Sequence, residues 1–251
     1  MEIVVINLKR ELSKRVRAER ILINTGLRFS FFEAVDGKLL DKEYVNLIQN
    51  QGTKLFEKRG SYMSESEIGL YLSHIQIIKY FLDSDAEFIC IFEDDFMLAD
   101  EFKLIFENNI LKKLSDFDVL MLGHFLDNKK YGVITKFNFS KNRLNIPLEF
   151  NYGAHAYILN RKSAQYILNN FSIPLCPFDH ILGILEIYGL NRMIVSPPIV
   201  YQDEAFESSV QSNKFNSNTG PIFLIKRISK YLLYNLFPRI AMKHLLRHKI
   251  I

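Results

Sequence analysis

Three consecutive acids, Glu93, Asp94 and Asp95, follow directly on the apolar run from Phe88 to Phe92. The run does not alternate, as expected of a strand buried on both faces. It would deliver the acids to the carboxyl end of that strand, where open α/β sheets bind their ligands. With the backbone extended, Glu93 and Asp95 point to one side and Asp94 to the other. An i, i+2 carboxylate pair suits a hard divalent cation that takes oxygen ligands and shares itself with substrate phosphates. The same acids would also serve merely to solvate the end of a strand. A further acid, Asp179, stands just ahead of an apolar helix from Ile181 to Tyr188, a favourable place for a carboxylate, so that it reads as a catalytic base or as a helix cap. His74 lies one step off an apolar helical stripe and reads as a hydrogen-bonded structural histidine.

The elements that must position these residues are legible as patterns. Ile3 to Ile6 is a β-branched first strand. Ser13 would cap a helix reaching Leu22, with Arg15, Arg17 and Arg20 among its apolar residues. Phe29 to Val35 reads as a second strand, closed by a turn at Asp36-Gly37. This is a β-α-β unit with a basic first connection, the usual opening of a nucleotide-binding half, but it carries no glycine-rich phosphate loop. Residues 41–60 read as a short helix and a polar loop. Ser64 with Glu67 fits a capping box, and Ile68, Leu72, Ile75, Ile78 and Leu82 share a face of the helix that follows. Further on, helices are expected over Asp100–Leu114 and Ser163–Phe171, strands over Asp118–Gly123, Gly153–Leu159 and Met193–Val195, and a loop or hairpin over 127–150.

Composition narrows the class. The chain has 251 residues, 48% hydrophobic and 24% charged, enough for one large globular domain. Two cysteines, Cys90 and Cys176, are too few for a disulfide framework or a zinc site, and Cys90 falls inside the apolar strand. With no basic-then-apolar leader and no bilayer-length apolar run, the protein reads as cytoplasmic. Residues 222–251 hold seven Lys/Arg and no acids, so the net charge of +4 becomes −3 without them. Such a tail, with large apolar residues between its cations and Pro238 to break it, fits in-plane binding to an anionic membrane, or a helix packed on its own domain with its cations in water. The expected division is a domain over 1–211, a Ser/Asn-rich linker over 212–220 and a basic amphipathic tail over 221–251. No nucleic-acid partner is expected.

Six segments together resemble glycosyltransferase family 25, which includes lipooligosaccharide galactosyltransferases of Gram-negative bacteria and collagen galactosyltransferases. They are the Ile-Asn-Leu-x-Arg opening with Arg15, then 32–37, 66–74, 92–95, 153–159 and 177–180. The resemblance implies an α/β fold of GT-A type, a Rossmann-like mixed sheet flanked by helices, binding a nucleotide sugar with Mn²⁺ (or Mg²⁺) held by an acidic motif. It implies transfer of galactose from UDP-galactose to a lipooligosaccharide or oligosaccharide acceptor in β1,4 linkage with inversion, by an enzyme peripheral on the inner membrane. Carried over by residue, Asn7, Arg10 and Arg15 match the nucleotide-side opening, Asp36 and Gly37 the turn beside the base, and Ser73 and His74 the segment facing the diphosphate. Glu93, Asp94 and Asp95 match the acidic motif, with Asp95 and Glu93 as metal ligands and His180 or Gln202 completing the shell. Asp179 is then the candidate base, ahead of Asp203 and Glu204. The chain departs from the family at Ala154-His155 and in lacking a literal Asp-x-Asp. Two other classes use some of the same features: a non-catalytic membrane-surface module, against which the acids argue, and a metal-dependent nucleotidyl- or phosphotransferase, against which the missing phosphate loop argues.

Overall fold

The computed structural model describes residues 1–51, 61–106, 117–124, 133–139, 142–147, 153–203 and 213–214. The elements in order are β1 (Glu2–Asn7), α1 (Leu12–Ile23), β2 (Ser30–Glu33), a 3-10 turn (Gly37–Leu39), α2 (Lys42–Gln51), β3 (Ser61–Tyr62), α3 (Glu65–Asp83), β4 (Phe88–Glu93), β5 (Phe96–Leu98) and α4 (Phe102–Phe106). They continue with β6 (Val119–Met121), β7 (Val133–Phe139), β8 (Asn142–Pro147), β9 (Ala156–Asn160), α5 (Arg161–Asn170), α6 (Phe178–Ile184), β10 (Arg192–Ser196), β11 (Val200–Gln202) and β12 (Asn213–Lys214). Among the described residues, eight strands form one mixed sheet in the order β2-β1-β4-β9-β6-β10-β8-β7. This is the helix-flanked α/β sheet expected from the pattern. The basic tail, Glu204 and the expected linker apart from Asn213 and Lys214, which form β12 paired antiparallel with β3, lie outside the described residues. So do 52–60 of the helix and polar loop expected over 41–60, and the part of the Asp100–Leu114 helix beyond Phe106.

Sheet direction explains where a site can form. β1 runs parallel to β2 and β4, and β6 parallel to β10, while β9 runs antiparallel between β4 and β6. From β1 the chain first adds β2 on one side, then returns to add β4 on the other. The carboxyl ends of β1 and β4 therefore form a topological switch point, where the two connections diverge and leave a crevice. Asn7 and Glu93 are the last residues of those two strands.

The unalternating apolar runs have the expected cause. Val4, Ile6, Ile89, Ile91, Tyr157 and Leu159 face a core shared with α2, α3, α5 and α6. Ile3, Val5, Cys90, Phe92, Ala156 and Ile158 face a second core, covered by Ala18 and Leu22 of α1 and by Phe102 and Ile105 of α4. Both faces are covered, so the residues between the ends of these strands, Ile3–Ile6, Phe88–Phe92 and Ala156–Leu159, are all apolar.

Local signals account for the ends of several helices. Ser64 and Glu67 make the reciprocal capping box: the Ser64 amide donates to Glu67 Oε2 at 2.7 Å and the Glu67 amide to Ser64 Oγ at 3.2 Å. Asp36 accepts from the Lys38 amide and starts the 3-10 turn. α1, by contrast, begins at Leu12 with Glu11 in the cap position and no side-chain cap, so Ser13 is an ordinary exposed residue of its first turn. Within 127–150 the described residues form the hairpin β7–β8.

α3 differs from the expected stripe. Ile68, Tyr71, Ser73, His74, Ile75, Ile77, Ile78 and Phe81 are all buried, while Leu72 and Leu82 are only partly so. This helix is enclosed on most of its circumference, which puts Ser73 and His74 inside rather than at a margin. Its first turns also lie directly against the Val35–Gly37 segment, an approach only glycine permits: a Cβ on Gly69 would stand 2.6 Å from Gly37 N and from Val35 O. Ser73 seals the contact, its hydroxyl donating to Gly69 O at 2.8 Å and accepting from the Val35 amide at 2.8 Å.

Gly69→Ala is therefore expected to destabilise the fold by about 1–3 kcal/mol through overpacking of backbone on backbone, despite the roughly 1 kcal/mol that alanine gains in helix propensity. Urea unfolding followed by circular dichroism checks this; an unchanged or raised midpoint would show that the two segments separate freely.

Candidate active site

The acid stretch does not stay extended. β4 ends at Glu93, Asp94 and Asp95 form a turn, and β5 begins at Phe96. The turn is held by a two-stranded ribbon in which β5 pairs antiparallel with β11, Phe96 opposite Gln202. The Asp203 amide donates to Asp95 O at 2.7 Å, and Arg17 of α1 clamps the ribbon by donating to Phe96 O at 2.9 Å and pairing with the Asp203 carboxylate. A turn brings all three carboxyls to the same crevice, where the extended reading had placed Asp94 on the opposite face. Glu93, Asp94 and Asp95 line a cleft of about 660 Å³ together with Arg10, Lys14, Asp36, Gly37 and Gln202.

The three acids are balanced very differently. Asp94 Oδ2 accepts from Asn7 Nδ2 at 2.7 Å, and Oδ1 lies 3.6 Å from Lys14 Nζ. Burial raises the Asp94 carboxyl above its usual range against the opposing pull of these two partners. Asp95 is 6% exposed; Oδ2 accepts from Gln202 Nε2 at 2.8 Å, while Oδ1 is buried with no hydrogen-bond partner among the described residues. Glu93 has its carboxyl pushed up to about 8, first by burial and then by the neighbouring charges of Asp95, Asp179 and Asp94, with His155 pulling the other way. Glu93 and Asp95 are thus the two carboxyls with acceptor capacity left over.

These residues fit a divalent cation. An unpartnered buried Asp95 oxygen beside a second carboxyl offers hard oxygen donors. No group of three His, Cys, Asp or Glu side chains suited to a metal is assembled among the described residues. One or two carboxylates completed by phosphate oxygens and water is the pattern for a cation that is bound together with its substrate.

The remaining residues singled out from sequence fall into distinct places. Arg10 pairs with Asp36 across the mouth of the cleft, beside Gly37. Asn7 stands behind Asp94, bridging it to Glu11 O at 3.2 Å. Arg15 is outside the cleft lining, its guanidinium 4.2 Å above the Phe31 ring. Ser73 and His74 are each 0% exposed; neither faces the cleft, and His74 lies under Glu93, with Nε2 3.8 Å from Glu93 Oε1. Burial pushes the His74 imidazole down to about 3, against the raising charge of Asp179, so it is neutral. Asp179 sits in the first turn of α6, accepting from the His180 amide at 2.9 Å, and is near enough for its charge to act on both Glu93 and His74. Neither Asp179 nor His180 is part of the cleft lining, and the His180 amide also donates to Pro177 O.

Sequence reasoning missed Lys14 and Glu11. Lys14 is 6% exposed and shares the inward stripe of α1 with Ala18 and Leu22 at four-residue steps. A lysine on an otherwise apolar stripe was the available signal, because burial of an ammonium requires a partner. His155, where the chain departs from the resembled pattern, is 3% exposed, accepts the Glu93 amide on its carbonyl at 3.0 Å, and presses its ring on Gly123, whose Cβ would stand 2.1 Å from Nε2.

The sequence model of glycosyltransferase family 25 (LPS biosynthesis protein) matches residues 1–182, which include the cleft's first strand, the acidic turn and Asp179. The chain belongs to that family. Human procollagen galactosyltransferase 2 is 27% identical over 215 residues, 82% of this chain and 32% of that protein. Two Haemophilus influenzae lipooligosaccharide biosynthesis proteins also match: lic2B at 24% over 209 residues (79% of this chain, 75% of that one) and lex-1 at 26% over 145 residues (56% and 47%). The chain spans about a third of the length of the procollagen galactosyltransferases it matches. The matched residues include Glu93-Asp94-Asp95 on their strand-to-ribbon turn.

Glu93 keeps its proton in the fold at pH values where an unfolded glutamate has lost it, so its contribution to stability declines as pH rises from the ordinary 4.5 to about 8. Glu93→Gln, which is neutral throughout, is expected to flatten that decline. Urea midpoints of both proteins in chelator between about pH 5 and pH 8 measure it, and parallel pH profiles would refute a protonated Glu93.

Proposed function

We propose that this glycosyltransferase family 25 chain moves galactose from UDP-galactose to a sugar hydroxyl of a lipooligosaccharide or related oligosaccharide, in β1,4 linkage with inversion. The observation that carries the reading is the convergence of three acids, one with a buried unpartnered oxygen, on a cleft at a strand switch point that also holds Arg10. The choice of galactose and of a lipooligosaccharide acceptor rests on the names of relatives, procollagen galactosyltransferase 2 and the two Haemophilus proteins.

In this reading the uridine lies toward Asp36 and Gly37, and the diphosphate extends to the acidic turn. Asp95 and Glu93 would hold Mn²⁺ or Mg²⁺, which would supply positive charge against that developing on the departing diphosphate. Arg10, already oriented by Asp36, gives a charge-assisted donor to the same oxygens. Asn7 and Lys14 keep Asp94 in place, so that it backs the turn without competing for the donor. Inversion in one displacement needs a base at the acceptor hydroxyl, and Asp179 takes that role on the α6 side of Glu93. Asp203 is less suited, because its carboxylate is committed to Arg17 and its amide to Asp95.

The test is a screen of UDP-sugars for cation-dependent sugar release and transfer, with UDP-galactose expected to lead. Asp179→Asn should keep UDP binding by calorimetry while turnover falls roughly 10²- to 10⁴-fold, the range for a lost general base. An unchanged rate would leave Asp179 as a first-turn carboxylate only, and phosphate release from nucleoside triphosphates in place of sugar release would overturn the transferase reading.

We also place the enzyme peripherally on the anionic inner-membrane surface through residues 221–251. None of the helices among the described residues is long and apolar enough to cross a membrane. The seven tail cations would each contribute about 1 kcal/mol near an anionic leaflet. Flotation with liposomes should therefore require anionic lipid, weaken with salt and be lost on deleting 221–251; equal binding to neutral vesicles would remove the tail from this role.

A further inference from the structure

Under the acidic turn, side chains from four elements stack into one buried column. Tyr157 of β9 is 0% exposed and its hydroxyl lies 2.7 Å from Nδ1 of His74 on α3, also 0% exposed. The imidazole lies flat on Phe178 of α6, with ring centroids 4.4 Å apart and planes 4° from parallel. Its other nitrogen, Nε2, is fully buried, has no hydrogen-bond partner among the described residues, and has Glu93 Oε1 of β4 at 3.8 Å.

The direction of the proton in the Tyr157–His74 contact follows from what each group can do. Burial keeps the phenol neutral and the imidazole neutral, so each has one hydrogen to place. If Nδ1 held the imidazole hydrogen, the Tyr157 O–H would be left without an acceptor, since Nδ1 is its hydrogen-bond partner among the described residues. A buried hydroxyl hydrogen without an acceptor is strongly disfavoured. Tyr157 therefore donates to Nδ1, and the imidazole hydrogen sits on Nε2, on the side of Glu93. The Phe178 stack fixes the ring plane, so this N–H has one direction to point.

We propose that Tyr157 and His74 are positioning residues for Glu93: Tyr157 sets the imidazole tautomer, and the His74 Nε2–H selects the orientation in which the Glu93 carboxyl addresses the cleft. At 3.8 Å the N–H makes no hydrogen bond to Glu93 Oε1, but its dipole favours that oxygen on the side of the column and leaves the other for what occupies the crevice. The same stack ties Glu93 to α6, because Phe178 directly precedes Asp179. Among the described residues no hydrogen bond to the Glu93 carboxyl is formed, so without the column its rotamer would be held by packing alone. The role in turnover rests on the glycosyltransfer reading above; the tautomer does not.

The experiment uses the full chain and three variants, Tyr157→Phe, His74→Phe and the double variant. Phenylalanine keeps the ring on Phe178 and removes only polar atoms, and removing both partners together leaves no orphan in the core. Long-range ¹H–¹⁵N correlation spectra of wild type are expected to show His74 protonated at Nε2, with the Nδ1 form appearing in Tyr157→Phe; an Nδ1-protonated His74 in wild type overturns the proposal. With UDP-galactose as donor, the double variant should melt like wild type, keep its donor KM, and lose roughly 10- to 100-fold in kcat, the usual effect of removing an outer partner of a functional ligand. An unchanged kcat in a folded double variant also overturns it. Should wild type transfer no sugar, the glycosyltransferase reading falls, and the tautomer alone decides for or against the column.

Discussion

Negative charge concentrated at one strand end is the constraint that organises this molecule. Three adjacent carboxyls cannot remain ionised in a half-buried crevice unless each finds a proton, a cation or a set of hydrogen-bond donors. Each acid meets that demand in its own way. Asp94 uses Asn7 and Lys14, Glu93 retains its proton, and Asp95 is satisfied on one oxygen by Gln202 and left unmatched on the other. The proposed function assigns the remaining imbalance to a divalent cation shared with a diphosphate, a pairing that lets substrate binding complete the electrostatics.

The scaffold keeps that imbalance in one place. On one side of the sheet, α1 contributes Lys14 to Asp94 and Arg17 to the β5–β11 ribbon, so a single helix holds both ends of the acidic turn. On the other side, α3 packs on the Val35–Gly37 segment through Gly69 and Ser73, fixing Asp36 and with it Arg10 at the cleft mouth. Neither face works through long mobile contacts. The polar atoms that matter sit on strand ends and helices already locked by two apolar cores, which is how a site holds its geometry without substrate.

Much of this was legible in the chain. Unalternating apolar strands, the capping box at Ser64, the turn at Asp36-Gly37 and the acids after Phe92 each rest on local chemistry, and each occurs where that chemistry puts it. His74 shows where local reading stops. A helix enclosed on one face reports its burial through periodicity, but α3 is enclosed on most of its surface, so the stripe Ile68–Leu82 understates what is inside. Lys14 and Gln202 were equally hard to weigh, because a lysine or glutamine gains its meaning from a carboxylate some eighty or a hundred residues away.

By itself the sequence determined the sheet, its helical cover and the delivery of three acids to a strand's carboxyl end, because those follow from side-chain period and the hydrophobicity of neighbours in the chain. Only the tertiary structure decided that the acids turn instead of running straight, that Asp94 is the compensated one, and that His74 lies beneath Glu93 and not in the cleft. Those outcomes depend on the desolvation and partners each group meets. Partners such as Lys14, Tyr157 and Gln202 come from α1, β9 and β11, elements that are brought together only when both cores close.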